Sequence, residues 1–412
     1  MTTLSVVIPA YNEENGIAEI ANRVLAVRGD LEKAGIAKLE LLVVDDGSRD
    51  KTAQIAGQID GVTLIRHPKN KGYGAALKTG FSKAQGELIG FLDADGTYPP
   101  EYFPQLCKEA LNGGELVIGS RMAGADSKMP VTRRIGNLFF ATLLTLLGNQ
   151  RVTDSASGMR VFRREILEKI YPLPNGLNLT PVMSTRAVHE DIRIIEVPIP
   201  YSERVGRSKL SVVKDGSVFL QSMVWTVLTY NPVRIFGVIG LIGVLFALAV
   251  AIGLVVTRLS GVTTLGAWGV TALYAAMVTG ITGISIFALG STFNYLVSLF
   301  YKQPIRQGLF GRPLFTPSID HYFGWIGLGG LVSGLIIGIV SISLGMSGWE
   351  INRLWLYLLG SAMFILVGVQ LILYWILMRV LEELSQREDL IEKDMGLDPE
   401  SQPVEQIYQP VS

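Results

Sequence analysis

The sequence predicts an α/β domain, built on a mostly parallel sheet with helices on both faces, followed by an α-helical membrane domain of four spans. Three observations carry that prediction. Charge is spread unevenly along the chain, short β-branched runs alternate with helical patterns in its first half, and carboxylates recur just after those runs. Of the 412 residues 49% are hydrophobic and only 17% are charged, with a mean hydropathy of +0.37. A soluble globular chain carries about 25% charged residues, so a wholly soluble or disordered chain fits poorly. From 234 to 379 the charged side chains are limited to Arg234, Arg258, Lys302, Arg306, Arg312, Asp320, Glu350, Arg353 and Arg379.

In the first half, residues 5–8, 39–44, 62–66, 88–92 and 116–118 read as buried strands. Residues 13–34, 50–59, 73–84 and 101–110 read as the intervening helices, and a further β-like run covers 192–201. Strand–helix alternation at this spacing implies parallel pairing. In the second half, spans are expected at about 235–256, 272–293, 323–346 and 354–378, each long enough at about 1.5 Å per residue to cross a hydrocarbon core. Residues 209–233 form an amphipathic juxtamembrane segment, and 381–412 a polar tail that becomes disordered from about Gly396. Lys302, Arg306 and Arg312 outweigh Arg258 and Arg353, so the positive-inside rule places the N-terminal domain (1–208), the loop that carries them and the tail in the cytoplasm, at the plasma membrane if the source is bacterial. Trp268, Trp325, Trp349, Trp355 and Trp375 fall near span ends. Small residues such as Gly280, Gly283, Gly327, Gly330 and Gly334 suit close helix contact or a homo-oligomer. No span carries a central charge, which argues against an ion-coupled transporter.

Composition excludes several chemistries. A net charge of zero offers no case for nucleic acid. The lone Cys107 excludes an internal disulfide and a Cys-based zinc site, and His67, His189 and His321 include no HExxH. The opening MTTLSVVIPAYN has no basic n-region, so no signal peptide is expected. No GxxxxGK[ST] occurs, and Asn70-Lys71-Gly72-Tyr73-Gly74 lacks the third glycine of a dinucleotide fingerprint.

In parallel sheets ligands sit beyond the carboxyl ends of the strands. There the chain places Pro9-Ala10-Tyr11-Asn12-Glu13-Glu14, then Asp45-Asp46-Gly47-Ser48, then Asp93-Ala94-Asp95-Gly96-Thr97, then Gly119-Ser120-Arg121. Gathered carboxylates repel unless a cation or hydrogen-bond donors offset them. Asp93 and Asp95 suit a hard divalent cation, Mg²⁺ or Mn²⁺, completed by substrate phosphate. Taken singly each motif has a plainer explanation: an isolated DxD commonly caps a turn, and Ser48 or Asp50 would cap the next helix. Their joint placement at strand ends is what favours a site. Arg160, Arg163 and Arg164 read as solvated surface charge, and no histidine is expected at a strand end.

With these motifs the chain resembles the family 2 glycosyltransferases of GT-A fold, specifically the polyprenyl-phosphate branch of dolichyl-phosphate mannose synthase-like and GtrB-like enzymes. Asp154-Ser155-Ala156-Ser157-Gly158 and Arg204-Val205-Gly206-Arg207-Ser208-Lys209 extend the resemblance, which covers roughly residues 4–232. It implies inverting transfer of one hexose, from UDP-glucose or GDP-mannose, to undecaprenyl or dolichyl phosphate. It further implies donor contacts from Pro9, Tyr11, Glu13, Asp46, Lys71 and Asp93, and a metal on Asp93 and Asp95. Asp95, Asp154 and Arg121 would be catalytic, and Arg133, Arg204, Ser208 and Lys209 would meet the acceptor phosphate. Thr97 stands where archaeal-type relatives carry a glutamine, which leaves the third metal ligand open. Asp154 either orients the phosphate or accepts a residual proton, or else caps the turn before Ser157-Gly158, and the basic run 204–209 either docks the acceptor or holds anionic lipid. The rivals are a processive polysaccharide synthase, whose QxxRW string is absent here, and a transporter or scaffold with a degenerate fold, against which the intact Asp46, Asp93 and Asp95 speak.

Overall fold

The computed structural model describes residues 2–122, 129–148, 150–202, 212–262, 264, 266–301 and 319–394. The chain divides into two compact units, Met1–Val227 and Leu228–Ser412.

The first unit runs β1 (Thr2–Ala10), α1 (Ile17–Ala26), α2 (Arg28–Lys33), β2 (Ile36–Asp45), α3 (Thr52–Gly57), β3 (Val62–Arg66), α4 (Tyr73–Lys83) and β4 (Leu88–Phe91). It continues through α5 (Phe103–Leu111), β5 (Leu116–Ser120), α6 (Val131–Leu147), β6 (Arg160–Arg163), α7 (Ile166–Ile170), α8 (Leu179–His189), β7 (Ile194–Pro198) and α9 (Val212–Tyr230). The strands form one sheet in the order β3-β2-β1-β4-β6-β5-β7. Because a strand's side chains alternate between faces, Leu4, Val6 and Ile8 of β1 enter one apolar core while Val7 enters the other. Ile17, Ile20, Ala21 and Val24 of α1 repeat at helical spacing and close the first core with Phe103, Leu106 and Cys107 of α5. The second core takes Ala76, Leu77 and Phe81 of α4 and Leu179, Val182, Met183, Ala187 and Val188 of α8. Both faces are thus covered, which explains why the strands read as continuous apolar runs.

The sheet is mostly parallel, as expected, with one exception: β6 pairs antiparallel with both β4 and β5. No crossover returns the chain to the amino edge after α6, so β6 enters from the carboxyl edge and must run the other way. Two sequence expectations need correction. The helix expected over 13–34 is two, broken at Val27, whose ψ of 2° leaves the helical range. Arg160, Arg163 and Arg164 are not solvated charge. Arg160 is wholly buried, its Nε and Nη2 donating to the carbonyls of Ser157 (3.0 Å) and Ser155 (2.7 Å). Arg163 donates to the Ala110 carbonyl and Arg164 to those of Gly86 and Ala84. Each guanidinium satisfies backbone carbonyls at a sheet edge or turn that no strand reaches.

The second unit comprises α10 (Pro232–Leu259), α11 (Ala267–Tyr301), α12 (Phe323–Met346) and α13 (Ile351–Asp394). Among the described residues four helices are long and apolar enough to cross a membrane: Pro232–Leu259, Ala267–Phe300, Ile319–Met346 and Arg353–Leu384. Small residues let the backbones approach within this chain. A Cβ on Gly283 would lie 2.7 Å from the Gly240 carbonyl, and one on Gly327 would lie 2.8 Å from that of Gly368. Ser361 Oγ of α13 donates to the Gly334 carbonyl of α12 at 2.8 Å. Phe323, Leu371, Met378 and Leu381 pack with Tyr295, whose hydroxyl donates to Asp320.

Candidate active site

The carboxyl ends of the strands are tied to one another by side chain to backbone bonds. Asn12 adopts a left-handed φ of 51°, a conformation asparagine tolerates. Its N–H donates to Ser48 Oγ (2.9 Å), and its own Oδ1 accepts from Arg49 N (2.9 Å). Asp50, rather than Ser48, meets the start of α3, its Oδ1 accepting the Thr52 N–H at 3.0 Å. Asp46 is buried and accepts from the backbone N–H groups of Lys71 (Oδ1, 2.9 Å) and Gly72 (Oδ2, 2.8 Å), so the turn before α4 is hung on this carboxylate. Gly72 has a φ of 105°, which an L side chain rarely adopts.

A histidine does stand at a strand end. His67, the residue after β3, is buried with Nδ1 2.7 Å from Asp46 Oδ1. The apolar residues of β3 draw the eye away from the polar one that follows them, although its position one residue past a strand was a usable signal.

Beyond β4, Asp93 is half-buried and Asp95 is buried. The Tyr73 hydroxyl donates to Asp93 Oδ1 at 2.7 Å, and the Asp93 carboxylate lies so close to Gly158 that any Cβ there would overlap it. Thr97 donates to Asp95 Oδ1 from both its backbone N–H (3.1 Å) and its hydroxyl (2.6 Å). Thr97 therefore orients Asp95. Beyond β5, Arg121 forms a bidentate pair with Asp154: Nε donates to Oδ2 at 2.8 Å and Nη2 to Oδ1 at 2.7 Å. Its guanidinium also lies 5.8 Å from the Tyr98 ring centroid and 5.5 Å from that of Tyr201, a cation–π arrangement. Glu196 of β7 fixes Asp154 in turn, accepting its N–H at 2.9 Å and that of Thr153. Burial alone would raise the Asp154 carboxyl, but the charge and hydrogen bonds of Arg121 outweigh it and hold it below the usual carboxylate range. Burial draws the Arg160 guanidinium down to about 10.

A cavity of about 450 Å³ joins these groups. Pro9, Tyr11, Glu13, Asp46, Asp93, Asp95, Arg121 and Arg133 all line it, with an apolar side formed by Met129, Phe140, Leu177 and Phe219. Lys71 contributes its backbone N–H to Asp46, while its side chain is exposed in an outer recess with Lys69 and Lys78. Asp154 sits behind Arg121 and is fully buried. Arg204, Ser208 and Lys209 lie outside the described residues. Sequence reasoning missed Tyr73, Tyr98, Tyr201 and Glu196, whose roles depend on long-range pairing that no local pattern announces.

Asp93 and Asp95 offer hard oxygen donors on one cavity wall. Among the described residues no group of three or more His, Cys, Asp or Glu gathers to hold a metal. Two carboxylates without further protein ligands fit a cation of the Mg²⁺ type, which is bound by one or two carboxylates plus substrate phosphate.

Residues 5–171 match the glycosyl transferase family 2, and residues 232–392 match a domain of unknown function (DUF8752). The chain is 33% identical over 221 residues to the dolichyl-phosphate hexose transferase of Haloferax volcanii, covering 54% of this chain and 92% of that relative. It is 35% identical over 218 residues to the low-salt glycan biosynthesis hexosyltransferase Agl6 of the same organism, where it spans only 51% of the relative. Among solved structures, glucosyl-3-phosphoglycerate synthase from Mycobacterium tuberculosis in complex with UDP is 22% identical with a TM-score of 0.45, over 55% of this chain and 80% of the other. Its complex with Mn²⁺, UDP-glucose and phosphoglyceric acid gives 22% and 0.44, over the same shares. The family match, the hexose transferase relative and the apolar helices together mark a membrane-associated glycosyltransferase. The chain belongs to glycosyl transferase family 2.

Proposed function

We propose that this enzyme transfers one hexose, with inversion, from UDP-glucose or GDP-mannose to a polyprenyl phosphate, undecaprenyl or dolichyl, at the cytoplasmic membrane face. The observation that carries the reading is the composition of one cavity, whose lining combines acidic strand ends, the arginines Arg121 and Arg133, and apolar side chains. The similarity to a dolichyl-phosphate hexose transferase across 92% of its length supports the acceptor class. So does α6. Its Thr132, Arg133, Gly136 and Phe140 line the cavity, while Val131, Ile135, Leu138, Phe139 and Leu146 are exposed by 54–71% on other sides of the helix. Such an amphipathic helix suits the interface of a bilayer.

In this reading Pro9, Tyr11, Glu13 and Asp46 hold the nucleoside, with Lys71 on the turn that Asp46 anchors. Asp93 and Asp95 would hold Mg²⁺ or Mn²⁺, which when bound neutralises charge on the leaving diphosphate. A phosphate monoester is already largely anionic at neutral pH, its second pKa being about 6. Its oxygen attacks the anomeric carbon as the bond to the diphosphate oxygen breaks, and the leaving diphosphate takes the electron pair. No strong base is required. Asp154, occupied by Arg121, positions that cation for phosphate oxygens, with Arg133 beside it. Arg204, Ser208 and Lys209, close in sequence to α9, are assigned to the acceptor phosphate on sequence grounds.

Membranes holding the enzyme, given a panel of labelled nucleotide sugars and extracted for lipid, should yield a single-sugar polyprenyl phosphate. A long polymer would favour a processive synthase, and no turnover with any nucleotide sugar would remove the enzymatic assignment of donor and acceptor together.

A further inference from the structure

We infer that His67 is a positioning residue for the donor nucleoside, acting by holding the Asp46 carboxylate in one orientation, with Thr79 fixing the far side of the ring. This rests on the reading of the cavity as a nucleotide-sugar site. Asp46 lines the cavity and His67 does not. The ring is 4% exposed and bridges three elements: Nδ1 lies 2.7 Å from Asp46 Oδ1 beyond β2, Nε2 lies 3.0 Å from Thr79 Oγ1 of α4, and the backbone N–H donates to the Asp45 carbonyl (2.9 Å).

The chemistry determines the direction of each bond. An ionised carboxylate only accepts, so Nδ1 carries a proton; in the neutral ring Nε2 must then accept, and the Thr79 hydroxyl donates to it. On Asp46, among the described residues, Oδ1 receives the His67 ring and the Lys71 N–H, whereas Oδ2 receives the Gly72 N–H. A carboxylate has about four acceptor sites, so Oδ2 retains capacity for a ribose hydroxyl or a base N–H. The terminal torsion of an aspartate is soft. Removing the His67 donor leaves Oδ1 with one partner and lets the plane of the carboxylate turn, while the charge and the cavity stay in place. The other tautomer would point the Nδ1 lone pair at the carboxylate, so Asp46 selects the Nδ1–H form, and Thr79 Oγ1 holds the opposite nitrogen in place.

The test uses the full chain in detergent with Mn²⁺, titrated calorimetrically with UDP, GDP and inorganic pyrophosphate. His67→Leu should weaken the preferred nucleotide about tenfold and change pyrophosphate by less than about twofold, since pyrophosphate has no nucleoside. His67→Asn, whose side-chain NH₂ stands near the place of Nδ1–H, should restore nucleotide binding to within about threefold of the parent. Thr79→Val should fall between, about threefold weaker. In turnover the loss should appear in KM for the donor with kcat preserved. An unchanged nucleotide Kd in His67→Leu, equal losses for nucleotide and pyrophosphate, or an asparagine variant as poor as the leucine one would each overturn the inference. Should His67→Leu fail to fold, Thr79→Val decides, an unaltered Kd there having the same consequence. If the parent enzyme binds neither nucleotide, the nucleotide-sugar reading itself fails, which is a separate result.

Discussion

The two units solve the problem of buried polar groups in opposite ways. Met1–Val227 buries Asp45, Asp46, Asp95, Asp154 and Arg160 and meets them with hydrogen bonds drawn from the turns that follow its strands. Leu228–Ser412 keeps polarity at its described helix contacts to isolated bonds, such as Ser361 to the Gly334 carbonyl, and relies on close backbone approach at glycine. The difference teaches where each unit is vulnerable. In the first, loss of one partner leaves a charge stranded in low dielectric; in the second, an added methyl group does the damage.

The largest expected effect tests the chemistry of the first unit alone. Asp95→Asn should lower transfer by about 100-fold or more with an unchanged melting profile; near-parental turnover of labelled donor would remove Asp95 from the metal assignment. Asp154→Ala strands Arg121 and should destabilise the unit by about 3–5 kcal/mol, read by chemical denaturation. The pH dependence sharpens that result. Because the folded pKa of Asp154 is lowered, the stability it contributes is complete above the unfolded value of about 3.9 and is lost as pH falls through the folded value. The gap between parent and Asp154→Ala should therefore be flat from about pH 7 to 5 and narrow only in stronger acid; narrowing at neutral pH would mean that another group carries the effect.

For the second unit, Gly334→Leu places a Cβ 2.9 Å from the Ile365 nitrogen. It should cost about 1–3 kcal/mol in unfolding from detergent while UDP and GDP titrations stay unchanged. Equal tolerance of alanine and leucine there would break the contrast. The smallest effect belongs to the surface of the first unit. Arg23 and Glu101 pair at 2.9 Å with side chains 34% and 53% exposed, so Glu101→Gln should change stability by less than about 1 kcal/mol.

Much of this was legible in the residues. β-branched runs ending in Asp45-Asp46 and Asp93-x-Asp95 announce strands and strand-end chemistry at once, because a buried strand is apolar throughout and its first polar residue marks the rim. Uncharged stretches announce the membrane helices for the same reason. β6 stayed hidden because its arginines look solvated, and their burial depends on carbonyls that only the assembled sheet brings within reach. α6 was missed because its apolar residues serve two sides, the cavity and the exterior, and so obscure a single helical stripe. The His67–Asp46 bond spans 21 positions and two turns, a pairing that neither local sequence contains.

The reversed direction of β6 has a consequence for how this scaffold can vary. Arg160 lies opposite Phe91 in the ladder, with Gly158 against Asp93 on one side of it and Asp154 clamped to Arg121 on the other. The connector from 154 to 160 is thus moored at both ends, and its length behaves like a reading frame. Deleting one residue would advance the strand by one tooth, swing the Arg160 guanidinium to the far side of the sheet and drive Val161 into its vacated slot. Lineages that lengthen or shorten their loops should leave this one alone.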